Sequence, residues 1–260
     1  MTTYRPGTAM ILAAGLGTRL RPLTDTMPKA LVPYNGVPMI ESLILRLKAA
    51  GFSRLVINVH HFADMLEDFV RSRDCFGLDI AFSDERDLLR DTGGGIRHAW
   101  LSGLLGDGPV LIHNVDIITS GIDLNAFYAH AAADSPAAAT LLVSDRTSSR
   151  YLLTGSDGLL RGWVYPAKGM FKGIGPDASV PTGHPAPLDP HSLPGLTPSA
   201  FSGIHIITPE AMRLMSDWPE KFSIIDFYLH IAAGHPVRCT DAPAGAVITD
   251  IGKLSRLSLP

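Results

Sequence analysis

The chain has 260 residues, 46% hydrophobic and 18% charged, a composition that excludes a disordered protein and supplies apolar surface for a large core. With 22 basic against 25 acidic residues and a net charge of -3, it has no general positive field for nucleic acid or an anionic membrane, so any affinity for phosphate has to be local. Cys75 and Cys239 lack CxxC spacing, no run reaches the ~18 apolar residues of a membrane span, and MTTYRPGTAM has no signal-peptide pattern, so free thiols and a cytoplasmic location are expected.

Gly7 to Ala13 reads as an apolar strand that breaks at Gly15 and Gly17 and empties into a loop carrying Arg19, Arg21 and Lys29. Such a loop can hold a polyphosphate, because glycine lets backbone N–H groups approach the anion and the cations neutralise it. The same residues would also serve as a plain tight turn. The third glycine of GxGxxG is missing and no GxxxxGK[ST] occurs, so neither a dinucleotide fingerprint nor a Walker loop is present.

After Asn35-Gly36, Pro38 suits the first turn of a helix running to Gly51, and Arg54 to Val59 is a β-branched strand ending in His60 and His61. Those two rings are expected to be one buried and one exposed, not a metal pair. FADMLEDFVRSR reads as a helix with Phe62, Met65, Leu66 and Phe69 along one side, followed by the strand LDIAF and an acidic run from Ser83 to Asp91. The rhythm is βαβ, which predicts a parallel sheet with ligand loops at the carboxyl ends of its strands. Gly93, Gly94 and Gly95 precede the helical IRHAWLSGLL, and three glycines in a row suggest a ligand passing close to the backbone. The strand Pro109 to His113 then delivers Asn114, Val115 and Asp116, with a solvated strand-end carboxylate as the plain alternative for Asp116.

Further along come a helix from Asp123 to Ala133, a strand ATLLVS and shorter strands in RYLLTG and LLRGWVY. Residues 169–198 are dense in Gly and Pro and are expected to form a long loop over the substrate side, partly disordered. A strand from Ser199 to Ile207, a helix start at Thr208-Pro209, a helix in KFSIIDFYLHIAAGH and edge-like strands at 237–240 and 246–249 complete the chain, the last running into Asp250-Ile251-Gly252.

The segment AAGLGTRLRPLTDTMPKALVP resembles the signature loop of the sugar-1-phosphate nucleotidyltransferases, GxGxRxxPxTxxxPKxxxP, matching at Gly15, Gly17, Arg19, Pro22, Thr24, Pro28, Lys29 and Pro33. The stretch HNVD is similar to the family's strand-end NGD, with Val115 in place of the glycine. The resemblance implies an α/β, Rossmann-like three-layer sandwich around a mainly parallel mixed sheet (GT-A-like). It implies one domain, 1–260, with a nucleotide-binding half over about 8–135 and a sugar-binding half over about 136–260.

It further implies Mg²⁺-dependent transfer of a nucleotidyl group from a nucleoside triphosphate to a sugar-1-phosphate, with Asp116 and Asp250 as metal ligands and Arg19 and Lys29 neutralising the phosphates. Ala13, Ala14, Gly15, Gly17, Thr18, Asn58, Gly93 and Gly94 are expected around the nucleotide. Asn114, Arg150, Lys172, Ser202, Gly203 and Asp226 are expected around the sugar phosphate, with Lys221 a further candidate. Arg21 and Asp25 are expected to play only local roles in the loop. NVHHFAD, SDERDLLRDTGGG and KFSIIDFYL look most like the bacterial branch that includes the N-acetylmuramate-1-phosphate uridylyltransferases of cell-wall recycling and glucose- or mannose-1-phosphate enzymes, and UTP is the nucleotide expected. Small-molecule substrates, no nucleic acid, no membrane and a monomer or weak homodimer are the partners expected. A cytidylyltransferase acting on phosphocholine or a similar phosphoester, and a non-catalytic nucleotide-sugar-binding module, are the alternatives.

Overall fold

The computed structural model describes residues 7–133, 137–176, 182–183, 186–252 and 255. In chain order the first half contains β1 (Thr8–Leu12), a small ribbon of β2 (Pro33–Tyr34) and β3 (Val37–Pro38), α1 (Met39–Ala49), β4 (Arg54–Val59), α2 (Ala63–Ser72) and β5 (Asp79–Asp84). It continues through α3 (Asp91–Leu101), β6 (Val110–Asn114), β7 (Ile117–Ser120) and α4 (Leu124–Ala133). The second half contains β8 (Ala139–Ser144), β9 (Tyr151–Thr154), β10 (Leu160–Tyr165), β11 (Met170–Lys172), β12 (Thr182–Gly183) and β13 (Thr197–Ile207). It ends with α5 (Pro209–Leu214), α6 (Ile224–Ile231), β14 (Val237–Asp241) and β15 (Val247–Asp250).

The main sheet runs β12-β11-β10-β9-β13-β6-β1-β4-β5, with β8 bonded to β13 and β14. Strands β6, β1, β4 and β5 are parallel, as the βαβ rhythm predicts, whereas β13 runs antiparallel to β6, β8 and β9. Alternate side chains leave opposite faces of a strand. Accordingly Ala9, Ile11, Leu55, Ile57 and Leu111 pack in one core with α1, α2 and α4, while Met10, Val56 and Ile112 pack in a second core with α3, α5 and α6. The result is a three-layer α/β sandwich around a mixed sheet, and each fully buried aliphatic side chain contributes ~1.5–3 kcal/mol.

Several local expectations shift. The buried stripe of α2 is Ala63, Leu66 and Val70, one residue out of phase with the predicted one, and Met65 points outward with 43% exposure. The Gly/Pro-rich stretch is mostly irregular where it is described, as its composition suggests, but two short strands lie within it: β11 pairs antiparallel with β10, and β12 with β11. Residues 177–181 and 184–185 of that stretch lie outside the described residues. The strand β7 is not foreseen at all; it pairs with β15 in a separate ribbon. No helix among the described residues is long and apolar enough to cross a membrane.

Candidate active site

Strands β4 and β6 flank β1 in parallel register, so Leu12 stands level with both Asn58 and Asn114, and the basic loop emerges between them. The loop is held open from within. Asn58 Oδ1 accepts from the backbone N–H of Ala13 at 2.6 Å and of Ala14 at 3.2 Å, and its Nδ2 donates to Glu85 Oε1 at 2.7 Å. Glu85 is fully buried and its other oxygen accepts from Arg90 N at 3.2 Å. Burial pushes the Glu85 carboxyl above the ordinary range, opposed by the Asn58 hydrogen bond. Ala13, Ala14 and Asn58 therefore spend their polar groups shaping the loop, not on a ligand as expected, although Ala14, Gly15 and Asn58 still line a cleft.

Gly17 adopts φ 62°, and a side chain there would meet Thr24 Cγ2 at 2.7 Å. Thr24 Oγ1 donates to the Gly17 carbonyl at 2.9 Å, closing the turn from which the 3-10 segment Thr18–Leu20 starts. Gly17 and Thr18 thus set the turn that presents Arg19, and neither lines the clefts. Arg21 pairs with Asp25 in solvent at 3.2 Å, the local role expected of them.

Asp116 and Asp250, distant in sequence, are brought together by the ribbon β7–β15. Asp250 lies opposite Ile117, and Ile251 N donates to the Asp116 carbonyl at 2.9 Å. Gly252 marks the meeting point: a methyl group on it would lie 2.5 Å from Asp116 Oδ2, 3.0 Å from Asp250 Oδ1 and 3.1 Å from Arg19 Nη2. Lys29 Nζ forms an ion pair with Asp116 Oδ2, both side chains being largely buried. Val115, where the resemblance leads one to expect glycine, is buried and donates its N–H to the Leu12 carbonyl at 3.2 Å, which continues the pairing of β6 with β1 up to Asp116.

Two adjoining clefts open here. The smaller, of about 380 Å³, is lined by Gly15, Arg19, Lys29, Glu85, Asp116 and Lys221 among others. The larger, of about 630 Å³, shares Arg19, Asp91, Thr92 and Asn114 with it and reaches Asp250, Arg150, Trp163, Lys172 and Asp226. Within the larger cleft Lys172 Nζ bonds Asp226 Oδ1 at 2.6 Å and lies over the Trp163 ring at 5.3 Å.

The profile of the nucleotidyl transferase family matches residues 8–154, the span that contains the basic loop, Asn58, Glu85 and Asp116. The chain belongs to that family. It is 37% identical over 257 residues to an N-acetylmuramate alpha-1-phosphate uridylyltransferase of Caulobacter vibrioides, covering 92% of this chain and 90% of that one. Among solved structures it resembles the inositol-1-phosphate CTP transferase of T. maritima with TM-score 0.72 and 14% identity over 97% of this chain and 92% of that one. It also resembles a UDP-glucose pyrophosphorylase complexed with UDP-glucose, with TM-score 0.70 and 17% identity over 96% of this chain and 95% of that one.

Against this family background some assigned residues change role. Gly93 and Gly94 lie inside α3, buried, and their N–H groups donate to the Phe222 carbonyl at 3.0 and 3.3 Å. A side chain on Gly93 would enter the Phe222 ring, and one on Gly94 would strike the Glu220 carbonyl oxygen. Both glycines are packed against residues 220–222, and neither lines the two clefts. Asp91 and Thr92, which precede them, line both clefts, and Thr92 Oγ1 accepts from Ile224 N at 3.0 Å. Ser202 is fully buried and its Oγ accepts from Ile204 N at 3.1 Å, so it supports the bulge of β13, and it also lines the larger cleft. Gly203, at φ 78°, sits where a side chain would lie 2.7 Å from Asn114 Nδ2. His60 Nδ1 lies 2.6 Å from the Glu85 carbonyl oxygen while His61 is exposed, and no group of three or more His, Cys, Asp or Glu placed to hold a metal occurs among the described residues. Glu85, Asp91, Thr92 and Gly252 were not singled out from sequence; Glu85 stands directly after β5, where the strand-end rule would have found it.

Proposed function

We propose that the protein transfers a uridylyl group from UTP to a sugar-1-phosphate, with N-acetylmuramate-1-phosphate as the acceptor, releasing pyrophosphate. The observation that carries this reading is the convergence of Asp116, Asp250 and Arg19 on the space beside Gly252, with Lys29 on Asp116, at the junction of two clefts sized for two substrates. The name of the Caulobacter relative, which matches along nearly the whole chain, supports the choice of base and sugar.

The acceptor phosphate is largely dianionic near neutral pH, its second pKa being ≈ 6. It attacks without a general base, and the site has to supply placement and neutralisation. Arg19, with a planar fork of donors, suits the β- and γ-phosphates, and the compact Lys29 ammonium suits the α-phosphate or the attacking phosphate. Lys29 rests on Asp116, and an incoming triphosphate offers it a second anionic partner. Two carboxylates with hard oxygen donors fit Mg²⁺, which takes few protein ligands and completes its shell with water and substrate phosphates. Asp116 and Asp250 are the residues that would hold it, and the ion would neutralise charge shared between the phosphates.

Purified protein given Mg²⁺, UTP, dTTP, GTP, CTP or ATP, and a panel of sugar-1-phosphates, should release pyrophosphate best with UTP and N-acetylmuramate-1-phosphate. Turnover restricted to CTP and phosphocholine would replace this reading with a cytidylyltransferase. Silence across the panel would leave a binding module.

A further inference from the structure

The larger cleft is lined by Asp250 and Arg19 and also by Arg146, Ser148, Ser149 and Arg150 of the loop between β8 and β9. Arg150, exposed on that loop, places its guanidinium 5.2 Å from the centroid of the Tyr165 ring, and Lys168 Nζ lies 5.4 Å from the same ring. The loop is pinned: Ser148 N donates to the Tyr151 hydroxyl at 3.0 Å and Arg150 N donates to Ser148 Oγ at 3.4 Å. Two other cations of this cleft are engaged, Lys172 by Asp226 and Arg146 by the Phe201 carbonyl. Arg150 forms no ion pair with a carboxylate among the described residues.

A guanidinium held near an aromatic ring keeps its in-plane N–H fork for a planar anion, and a carboxylate matches that fork with two parallel hydrogen bonds. The reacting phosphates have their own cations in Arg19 and Lys29, which line the smaller cleft where Arg150 does not, so Arg150 answers to a different negative group. We propose that Arg150 binds a carboxylate on the sugar of the acceptor, making it the residue that selects acidic sugar-1-phosphates over neutral ones. This rests on the reading that the protein transfers a nucleotidyl group to a sugar phosphate.

The test uses two acceptors that differ only by a lactyl ether, N-acetylmuramate-1-phosphate and N-acetylglucosamine-1-phosphate, with UTP, Mg²⁺ and steady-state pyrophosphate release. The parental protein should favour the acidic acceptor in kcat/KM. Arg150→Gln should shrink that preference by about 10–100-fold, chiefly through KM for the acidic acceptor, because a charged hydrogen-bonded pair made equally in ground and transition states acts on KM. Arg150→Lys, which keeps the charge and loses the fork, should fall between. Equal use of both acceptors by the parental protein would overturn the proposal, as would an Arg150→Gln variant that slows both by the same factor. Turnover confined to neutral sugar phosphates would refute the carboxylate assignment and leave the transferase reading standing, whereas no turnover with any sugar phosphate would refute both.

Discussion

Gly252→Ala adds a single methyl group at the point where the charged groups meet, and removes none of them. The new carbon would lie 2.5 Å from Asp116 Oδ2, whereas ordinary contact begins at 3.4 Å, so that oxygen has to recede by about 0.9 Å; Asp250 Oδ1 and Arg19 Nη2, at 3.0 and 3.1 Å, have to move by a few tenths of an ångström. The atoms that give way are the ends of side chains, not backbone, so the fold absorbs the change. Gly252 lies outside the left-handed region, where alanine is strained, and Gly→Ala at a compatible site stabilises by ~0.4–1 kcal/mol through the unfolded chain. The melting temperature should therefore stay within a few degrees of the parental value. Catalysis should not, because displacing a reacting constellation by ~1 Å costs roughly 10²-fold in rate. Pyrophosphate release at saturating substrates, with circular dichroism melts of the same preparation, separates the two effects. A variant that folds normally and keeps parental kcat would show that the site does not depend on the close approach of Asp116, Asp250 and Arg19.

Asp116→Asn and Asp250→Asn each keep side-chain shape and remove one charge, so both should fold, lose nearly all transfer, and raise the Mg²⁺ concentration needed by whatever activity remains; parental metal dependence in Asp250→Asn would break the two-carboxylate arrangement. Gly94→Ala drives a methyl group into the Glu220 carbonyl oxygen and should lower stability by about 1–3 kcal/mol in urea unfolding, while material that remains folded keeps its KM for nucleotide; a KM defect without a stability loss would restore a nucleotide-binding role to that glycine. Burial holds the imidazoles of His113 and His205 down to about 4 and about 3, so both are neutral in the folded protein near pH 7. Below pH ~6.5 the unfolded chain takes up protons that the folded chain refuses, so the stability present above that pH is lost as pH falls towards those values. Urea unfolding at pH 7 and pH 5 should show a loss of about 4 kcal/mol from the two rings, smaller in His205→Phe, and equal stabilities would contradict the buried neutral rings.

The basic loop was legible because phosphate chemistry demands cations and glycines in an order that packing does not require, and Arg19 and Lys29 indeed line the smaller cleft. The strand boundaries of β4 and β8 were legible because their β-branched runs end abruptly at polar residues. Which polar group a ligand can reach was harder. Asn58 and Ser202 lie at the right places along the chain, but whether an amide or hydroxyl is already bonded to nearby backbone depends on neighbours that spacing does not reveal. The three glycines carried a true signal of close approach, and the approaching groups belong to the same chain: the Phe222 ring at Gly93, the Glu220 backbone at Gly94, and the Glu85 and Asn58 side chains at Gly95. The convergence on Gly252 depends on the β7–β15 pairing, and β7 is too short, at four residues, to announce itself by periodicity.

That pairing gives the chemistry a timetable. During synthesis the parallel strands β6, β1, β4 and β5 and the basic loop are available long before β15 leaves the ribosome, yet Asp116 acquires its partner carboxylate only when the chain past Val247 has emerged and docked on β7. Strand β14 is anchored separately, on β8. A protease cut in the turn between β14 and β15 would thus leave the main sheet with all its strands paired, while Asp250 would be held at the site only by the β7–β15 pairing and the burial of Ile251.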